Sequence, residues 1–266
     1  MISYRCPHCK EALKKLDKSL VCSNNHCFDF AKQGHINLFC SNDTKNHGDD
    51  KFMVEARSSF LSEGYYAPLR DGLCDILKEL SPSYLLDAGC GEGYYTSGFS
   101  KVLDNTQIFA VDLSKEAVRK TRVRDKRINC CVASVYQLPF FDNSFDCITN
   151  IFSPYSKDEF LRLLKDEGYI INVIPLEDHL WDLKCAIYSK PYKNAPQAPE
   201  LEGFDLVNTK DIDYEISLNS NEQIKNLFAM TPYYYNTSPK DRSKLEDLQQ
   251  LNVRISFGIL IHKKHK

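Results

Sequence analysis

Apolar residues change their spacing several times along this chain, and each change predicts an element. Phe52, Ala56, Phe60 and Leu61 fall on one face of a 3.6-residue repeat, which predicts a helix that Gly64 is placed to end. Pro68 suits a first helical turn. Leu69, Leu73, Ile76, Leu77 and Leu80 then form the stripe of a second helix, stopped by "SPS". From residue 84 short apolar runs alternate with helical patterns: "YLLDAG", "TQIFAVDL", "INCCVAS", "FDCITNIF" and "EGYIINVIP" read as five strands. Ser114 can cap the helix after the second strand, and Ser156 with Glu159 predicts a capping box for the helix before the fifth. Such alternation predicts a parallel, doubly wound α/β sheet. Beyond Pro175 the pattern loosens. Residues 190–203 hold three prolines and read as a loop, while "YEISL" and "RISFGILIH" predict strands at one edge, around a helix near residues 221–229.

The front of the chain follows neither pattern. Residues 1–40 are rich in Cys, His and Asn and too thin in apolar positions to bury much core unaided, so a bound metal would supply the missing stability. Residues 41–51, "SNDTKNHGDDK", read as a polar linker. The expected organisation is a small domain over 1–40, a linker and connecting helix over 41–72, and the α/β domain over 73–266. Within the first segment Cys6, Cys9, Cys22 and His26 follow the spacing C-x2-C-x12-C-x3-H. Two cysteines in one turn and a second pair across a hairpin can close a tetrahedron, the arrangement of structural zinc. Cys27 could replace His26 as the fourth ligand. His8 and His35 read as ordinary histidines, and Phe28 and Phe30 as the segment's own core.

Composition narrows the rest. At 266 residues, 42% hydrophobic and 26% charged, the chain is of ordinary globular make-up. Its apolar runs fall well short of the ~20 residues that a spanning helix needs, and "MISYRC" lacks the apolar core of a signal peptide, so a cytoplasmic protein with no membrane partner is expected. Eleven cysteines in an α/β pattern argue against a disulfide framework; Cys74, Cys130, Cys131, Cys147 and Cys185 are expected as small buried hydrophobes. The formal charge is −2, so any contact with nucleic acid must rest on local patches such as Lys10, Lys14, Lys15, Lys18 and Lys32.

Candidate chemistry centres on "DAGCGEG", which puts Gly89, Gly91 and Gly93 between a strand and a helix, where glycine lets the backbone turn sharply and approach a ligand. Asp87 ends the first strand and can either order the loop or receive a ligand's ammonium group. Asp112 ends the second strand, 19 residues past Gly93, where a carboxylate can accept hydrogen bonds from both hydroxyls of a ribose. Ala133 and Ser134, at the end of the third strand, would line an adenine edge, and "NIFSPY" would face the reacting centre. A dinucleotide enzyme competes for the glycine loop alone.

"LLDAGCGEGYYT", "FAVDLS" and "LPFFDNSFDCITN" together resemble the class I S-adenosylmethionine-dependent methyltransferases, a Rossmann-like doubly wound fold. With "CPHCKEAL", "CSNNHCFDFAKQGHINL", "FLSEGYYAPLRD" and "LEGFDL…LFAMTPYYY" added, nearly the whole chain resembles the bacterial 23S rRNA guanine-N1 methyltransferases. The resemblance implies methyl transfer from S-adenosylmethionine to N1 of a guanine in 23S rRNA. It implies Zn2+ on Cys6, Cys9, Cys22 and His26, with 1–40 as the RNA-recognition domain. It also implies cofactor contacts from Tyr66, the Gly91–Glu92 step and His179, a stem-loop RNA partner, and a homodimer whose zinc regions help form the RNA cleft. Ser153 stands where the family more usually carries alanine, and the net charge is slightly acidic. N1 of guanine must lose a proton; His179 is a possible base by residue type, but the resemblance makes it a cofactor contact, and no base is assigned. Asp142 and Asp146 read as turn and strand-end carboxylates. The competing functions are a small-molecule methyltransferase with a structural zinc hairpin and a non-catalytic RNA-binding assembly factor.

Overall fold

A computed structural model describes residues 2–40, 48–196 and 202–266. Most of the expected linker (41–47) and part of the expected proline-rich loop (197–201) lie outside the described residues. At the front, β1 (Lys14–Leu16), β2 (Ser19–Val21) and β3 (Cys27–Asp29) form a small antiparallel sheet, and β4 (Ile36–Asn37) follows. Helices α1 (Lys51–Ser62) and α2 (Ala67–Leu80) lead into the alternating part: β5 (Tyr84–Ala88), α3 (Tyr94–Val102), β6 (Gln107–Asp112), α4 (Lys115–Arg124), β7 (Asn129–Val132), β8 (Phe145–Ile151), α5 (Lys157–Leu163) and β9 (Leu164–Pro175). The chain continues through α6 (Trp181–Ile187), β10 (Phe204–Leu218), α7 (Asn221–Ala229) and β11 (Leu251–Lys264).

The large sheet has the order β10-β11-β9-β8-β5-β6-β7-β4. Strands β5 to β9 pair in parallel, and β11 is antiparallel to both neighbours. The order turns back at β5, between β6 and β8. That is the switch point at which such sheets open a crevice beyond their carboxyl ends. The run "YLLDA" works as a central strand because both its faces are covered. Leu85, Ile108, Ala110 and Cys130 face a core built with α1 to α4, α6 and α7. Leu86, Ala88, Phe109, Val111 and Cys131 face a second core.

The second core is where the front segment goes. Cys6, Leu13, Leu20, Cys22, Ile36 and Leu38 are buried in it beside Phe109, Phe140, Phe145 and, from α5, Phe160. Strand β4 adds to the edge of the large sheet, parallel to β7, with Ile36 opposite Cys131. The Arg5 amide donates to the Pro139 carbonyl at 2.8 Å, and the Leu38 amide to the Val132 carbonyl at 2.9 Å. The front segment therefore occupies part of the layer that helices usually fill in a doubly wound fold. Phe28 and Phe30, only partly buried, pack against this shared core.

Several expectations are corrected. Glu159 does not close a capping box: its carboxylate accepts the Leu138 amide at 2.7 Å and pairs with Arg162, and the Ser156 side chain makes no cap. Phe52 is exposed and meets Tyr234, while Met53 and Val54 are buried, so the apolar face of α1 is rotated from the one predicted. Cys185 is exposed; the other four cysteines expected to be buried are. Helix α6 was not foreseen, and β10 is far longer than "YEISL".

Candidate active site and metal centre

The three glycines of the loop differ in what they face. All have positive φ, which suits glycine. A side chain on Gly89 would strike Ser153, and one on Gly93 would lie 2.8 Å from Cα of Thr121 on α4. Those two positions are glycine because another part of the fold occupies the space. Only Gly91 opens outward, its nearest neighbour in that direction being Arg57 Nη1 at 3.9 Å. A ligand can therefore approach the backbone most closely at Gly91.

Both predicted aspartates organise this loop. Asp112 accepts the Gly91 amide on one oxygen at 2.9 Å and the Ser114 amide on the other at 2.8 Å. Each oxygen retains a lone pair, so the carboxylate can still receive two hydroxyl donors. Burial raises its pKa, and the two amide hydrogen bonds oppose that shift. Ser114 caps α4 as expected, accepting the Ala117 amide, and its hydroxyl donates to the Asp49 carbonyl at 2.8 Å. Asp87 is fully buried. The Thr149 hydroxyl donates to it at 2.9 Å and the Thr96 hydroxyl to its other oxygen, while desolvation lifts its pKa to about 6. Of its two expected roles, ordering the loop is the one its contacts support. The threonines left no signal in the sequence, since they come from α3 and β8. Glu92 is buried and pairs through one carboxylate oxygen with Arg124 of α4, while its other oxygen, Oε1, is buried without a hydrogen-bond partner. The Ala133 amide donates to the Asp112 carbonyl at 3.1 Å, which fixes the end of β7 next to Asp112, and Ser134 follows it as an accepting hydroxyl for the Tyr136 amide.

Across the crevice Tyr66 and His179 converge on Phe257. The Tyr66 ring meets Phe257 edge-on at 5.0 Å and His179 at 6.4 Å, and His179 lies 4.4 Å from Phe257. The His179 Nδ1 accepts the Ser256 amide at 3.4 Å, which assigns the ring proton to Nε2. Burial, assisted by the charge of Lys184, pushes its pKa down to about 3. His179 is thus a neutral N–H donor at neutral pH and a poor base. Above the loop, Arg57 pairs with Asp49 and donates to the Met230 carbonyl at 3.2 Å, and the Tyr235 hydroxyl donates to Asp50 at 2.6 Å. Residues 49–57 and 230–235 thereby close over the end of β6. A separate cavity of about 430 Å³, lined by Arg70, Tyr94, Lys101 and Arg124 among others, lies between α2 and α3 and includes none of the predicted cofactor residues.

At the front, the Cys6, Cys9 and Cys22 sulfurs and a His26 ring nitrogen all lie within 4.8 Å of one another. His26 Nδ1 is 3.5 Å from the Cys6 sulfur and 3.4 Å from that of Cys22, and the Cys9 and Cys22 sulfurs are 3.5 Å apart. A tetrahedron of zinc–sulfur bonds of about 2.3 Å needs edges of about 3.8 Å, so the set closes around zinc with small adjustments. Cys27 is exposed and turns toward Asp29, outside the cluster. His26, not Cys27, is the fourth member of the cluster. His8 stacks on Phe28 and approaches Cys40, and His35 is buried at the edge of the second core.

A parallel sheet with a glycine loop at its switch point, an acid at the end of the next strand and a closed Cys3His knuckle defines a class I S-adenosylmethionine-dependent methyltransferase carrying structural zinc. Residues 85–168 match the family described as methyltransferase domain, and residues 4–45 the one described as RlmA, N-terminal, a zinc ribbon. YxjB of Bacillus subtilis (strain 168), provisionally named a 23S rRNA (guanine-N(1)-)-methyltransferase, is 30% identical over 98% of this chain and 97% of its own. The 23S rRNA (guanine(748)-N(1))-methyltransferase of Streptomyces fradiae is 28% identical over 96% of this chain and 95% of its own. The chain belongs to the 23S rRNA (guanine-N1) methyltransferase family.

Proposed function

We propose that this protein transfers a methyl group from S-adenosylmethionine to N1 of one guanine in a stem-loop of 23S rRNA, in the cytoplasm and as a homodimer. The observation that carries this reading is that the zinc ribbon and the glycine-loop sheet align together, over 96% or more of the chain, with relatives named for that reaction. When bound, the cofactor supplies a methyl group already activated on a sulfonium.

The residues then have these parts. The Asp112 carboxylate receives the ribose hydroxyls. Gly91 and the Glu92 amide admit the cofactor's close approach, with Gly89 and Gly93 holding the turn. Ala133 and Ser134 border the adenine. Tyr66 and the Nε2–H of His179 bound the far end, where a neutral donor suits a carboxylate. Asp87 keeps the loop in shape. Alignment of donor and acceptor accounts for the acceleration: the N1–CH3 bond forms as the S–CH3 bond breaks, and the N1 proton passes to solvent water, since His179 is too weak a base to take it. The guanine must be presented unpaired, because its N1 is hidden in a base pair. The zinc has all four positions filled by protein and takes no part in the chemistry. The segment 1–40 positions the RNA, with Lys14, Lys15 and Lys18 exposed on or beside β1.

Primer extension on 23S rRNA from cells with and without the gene tests this. N1 methylation blocks Watson–Crick pairing, so a reverse-transcription stop one residue before a guanine, present only with the gene, is the expected result. No gene-dependent stop on 23S rRNA, together with transfer to a metabolite, would favour the small-molecule alternative.

A further inference from the structure

Phe152 is the first residue past β8, at the strand ends where a doubly wound sheet takes its ligands. Its φ is +52°, a left-handed conformation that a bulky aromatic residue keeps only when its surroundings impose it. The surroundings do so. Ser153 fills the space over Gly89, and its hydroxyl donates to the Ala88 carbonyl at 2.6 Å. The Asn150 amide donates to the Ser153 hydroxyl and, at 3.1 Å, to the Pro154 carbonyl. Phe152 is thereby fixed beside the first glycine of the cofactor loop.

Its side chain is held in an unusual way for an apolar group. The residue is 46% exposed, yet its ring packs on Phe257, with centroids 5.0 Å apart and planes at 46°. Phe257 is fully buried and also touches the rings of Tyr66 and His179. Single exposed hydrophobic residues are common on protein surfaces. A strained backbone that keeps an aromatic ring backed by a rigid aromatic cluster, and half out in the crevice, is not explained by core packing.

The geometry points to Phe152 as the platform on which the target guanine stacks while its N1 edge faces the methyl donor. A guanine that leaves its pair to expose N1 loses its stacking neighbours, and an aromatic side chain at the point of delivery restores one. This inference rests on the RNA-guanine reading above. The other rings of the cluster are too buried to offer a free face.

The test compares Phe152→Leu, Phe152→Tyr and Phe152→Trp in the full-length zinc-loaded protein. The readouts are kcat/KM on unmodified 23S rRNA, cofactor affinity by calorimetry and melting temperature. Loss of one base–aromatic contact is expected to lower kcat/KM of the Leu variant about 5- to 150-fold. Cofactor affinity and melting temperature should stay at wild-type values, and the Tyr and Trp variants should recover most of the loss. A Leu variant with wild-type kcat/KM overturns the platform, as does a loss traced to cofactor affinity or folding, or one that the aromatic variants fail to recover. Wild-type transfer to guanine, measured in the same assay, separates the two ideas. If it is present and the Leu variant is unimpaired, only the platform fails; if it is absent, the parent reading fails and the platform with it.

Discussion

Removing one zinc ligand should disturb the methyltransferase sheet, not only the knuckle. Cys9→Ser leaves three ligands and should release the metal. Without it the turns that bring Cys6, Leu13, Leu20 and Cys22 into the second core lose their tie. Leu13, Leu20, Ile36 and Leu38 are all nearly inaccessible in that core. Burial of such side chains contributes about 1.5–3 kcal/mol each, or about 6–12 kcal/mol for the four. That is the size of a whole domain's net stability, about 5–15 kcal/mol. Even if the segment keeps most of its contacts and only about 3 kcal/mol is lost, the melting temperature should fall by about 6–12 °C for a protein of this size. Calorimetry on the variant, with its zinc content measured, gives the shift. Near-ultraviolet circular dichroism follows the ring cluster under the knuckle, where Tyr4 lies 5.3 Å from Phe140 and Phe145 5.0 Å from it. A zinc-free variant with an unchanged melting temperature and an unchanged aromatic signal would refute the reasoning, because the segment would then be a passenger on the sheet.

Other consequences follow from the site. Asp112→Ala removes the acceptor for the Gly91 and Ser114 amides as well as the proposed ribose partner, and should weaken cofactor binding about 5- to 150-fold while leaving the fold intact; unchanged affinity by calorimetry would exclude the ribose role. Asp87 has a pKa raised from 3.8 to about 6. The stability held by its protonated form is fully present below pH 3.8 and is lost as pH rises through about 6, so Asp87→Asn should gain on the wild type over that window, by up to about 3 kcal/mol; parallel stability curves would contradict this. His179 is depressed from 6.5 to about 3, so the stability it contributes is present above pH 6.5 and is lost as pH falls toward 3. His179→Asn should flatten part of that decline in denaturant titrations at several pH values, the buried His35 and His262 accounting for some of the remainder.

The parts of the site that could be read in the sequence are those set by local spacing. Cys6 and Cys9 belong to one turn, Gly89 to Gly93 to one loop, and Asp112 to the end of a strand whose four-residue apolar run, Ile108–Val111, admits one reading. What could not be read depends on contacts between distant segments. Nothing local says that Ile36 will pair beside Cys131, or that Ser153 will occupy the space over Gly89. Glu159 stands at capping-box spacing, but Arg162 and the Leu138 amide compete for its carboxylate and win. The first half of β10 escaped for another reason: as an edge strand exposed on both faces, "DLVNTKD" has no buried side to impose alternation. The sequence places "NIFSPY" at the reacting centre but does not single out Phe152 within it, since a positive φ leaves no trace in residue type when the residue is not glycine or asparagine.

The central claim is the identity of the modified atom. Unmodified 23S rRNA would be incubated with the zinc-loaded protein and methyl-labelled S-adenosylmethionine, digested to nucleosides, and analysed by mass spectrometry against methylguanosine standards. The account predicts label in 1-methylguanosine, close to one per rRNA molecule and reduced with the Asp112→Ala variant at limiting cofactor. Label at another atom or base, or none on rRNA despite tight cofactor binding, would contradict it.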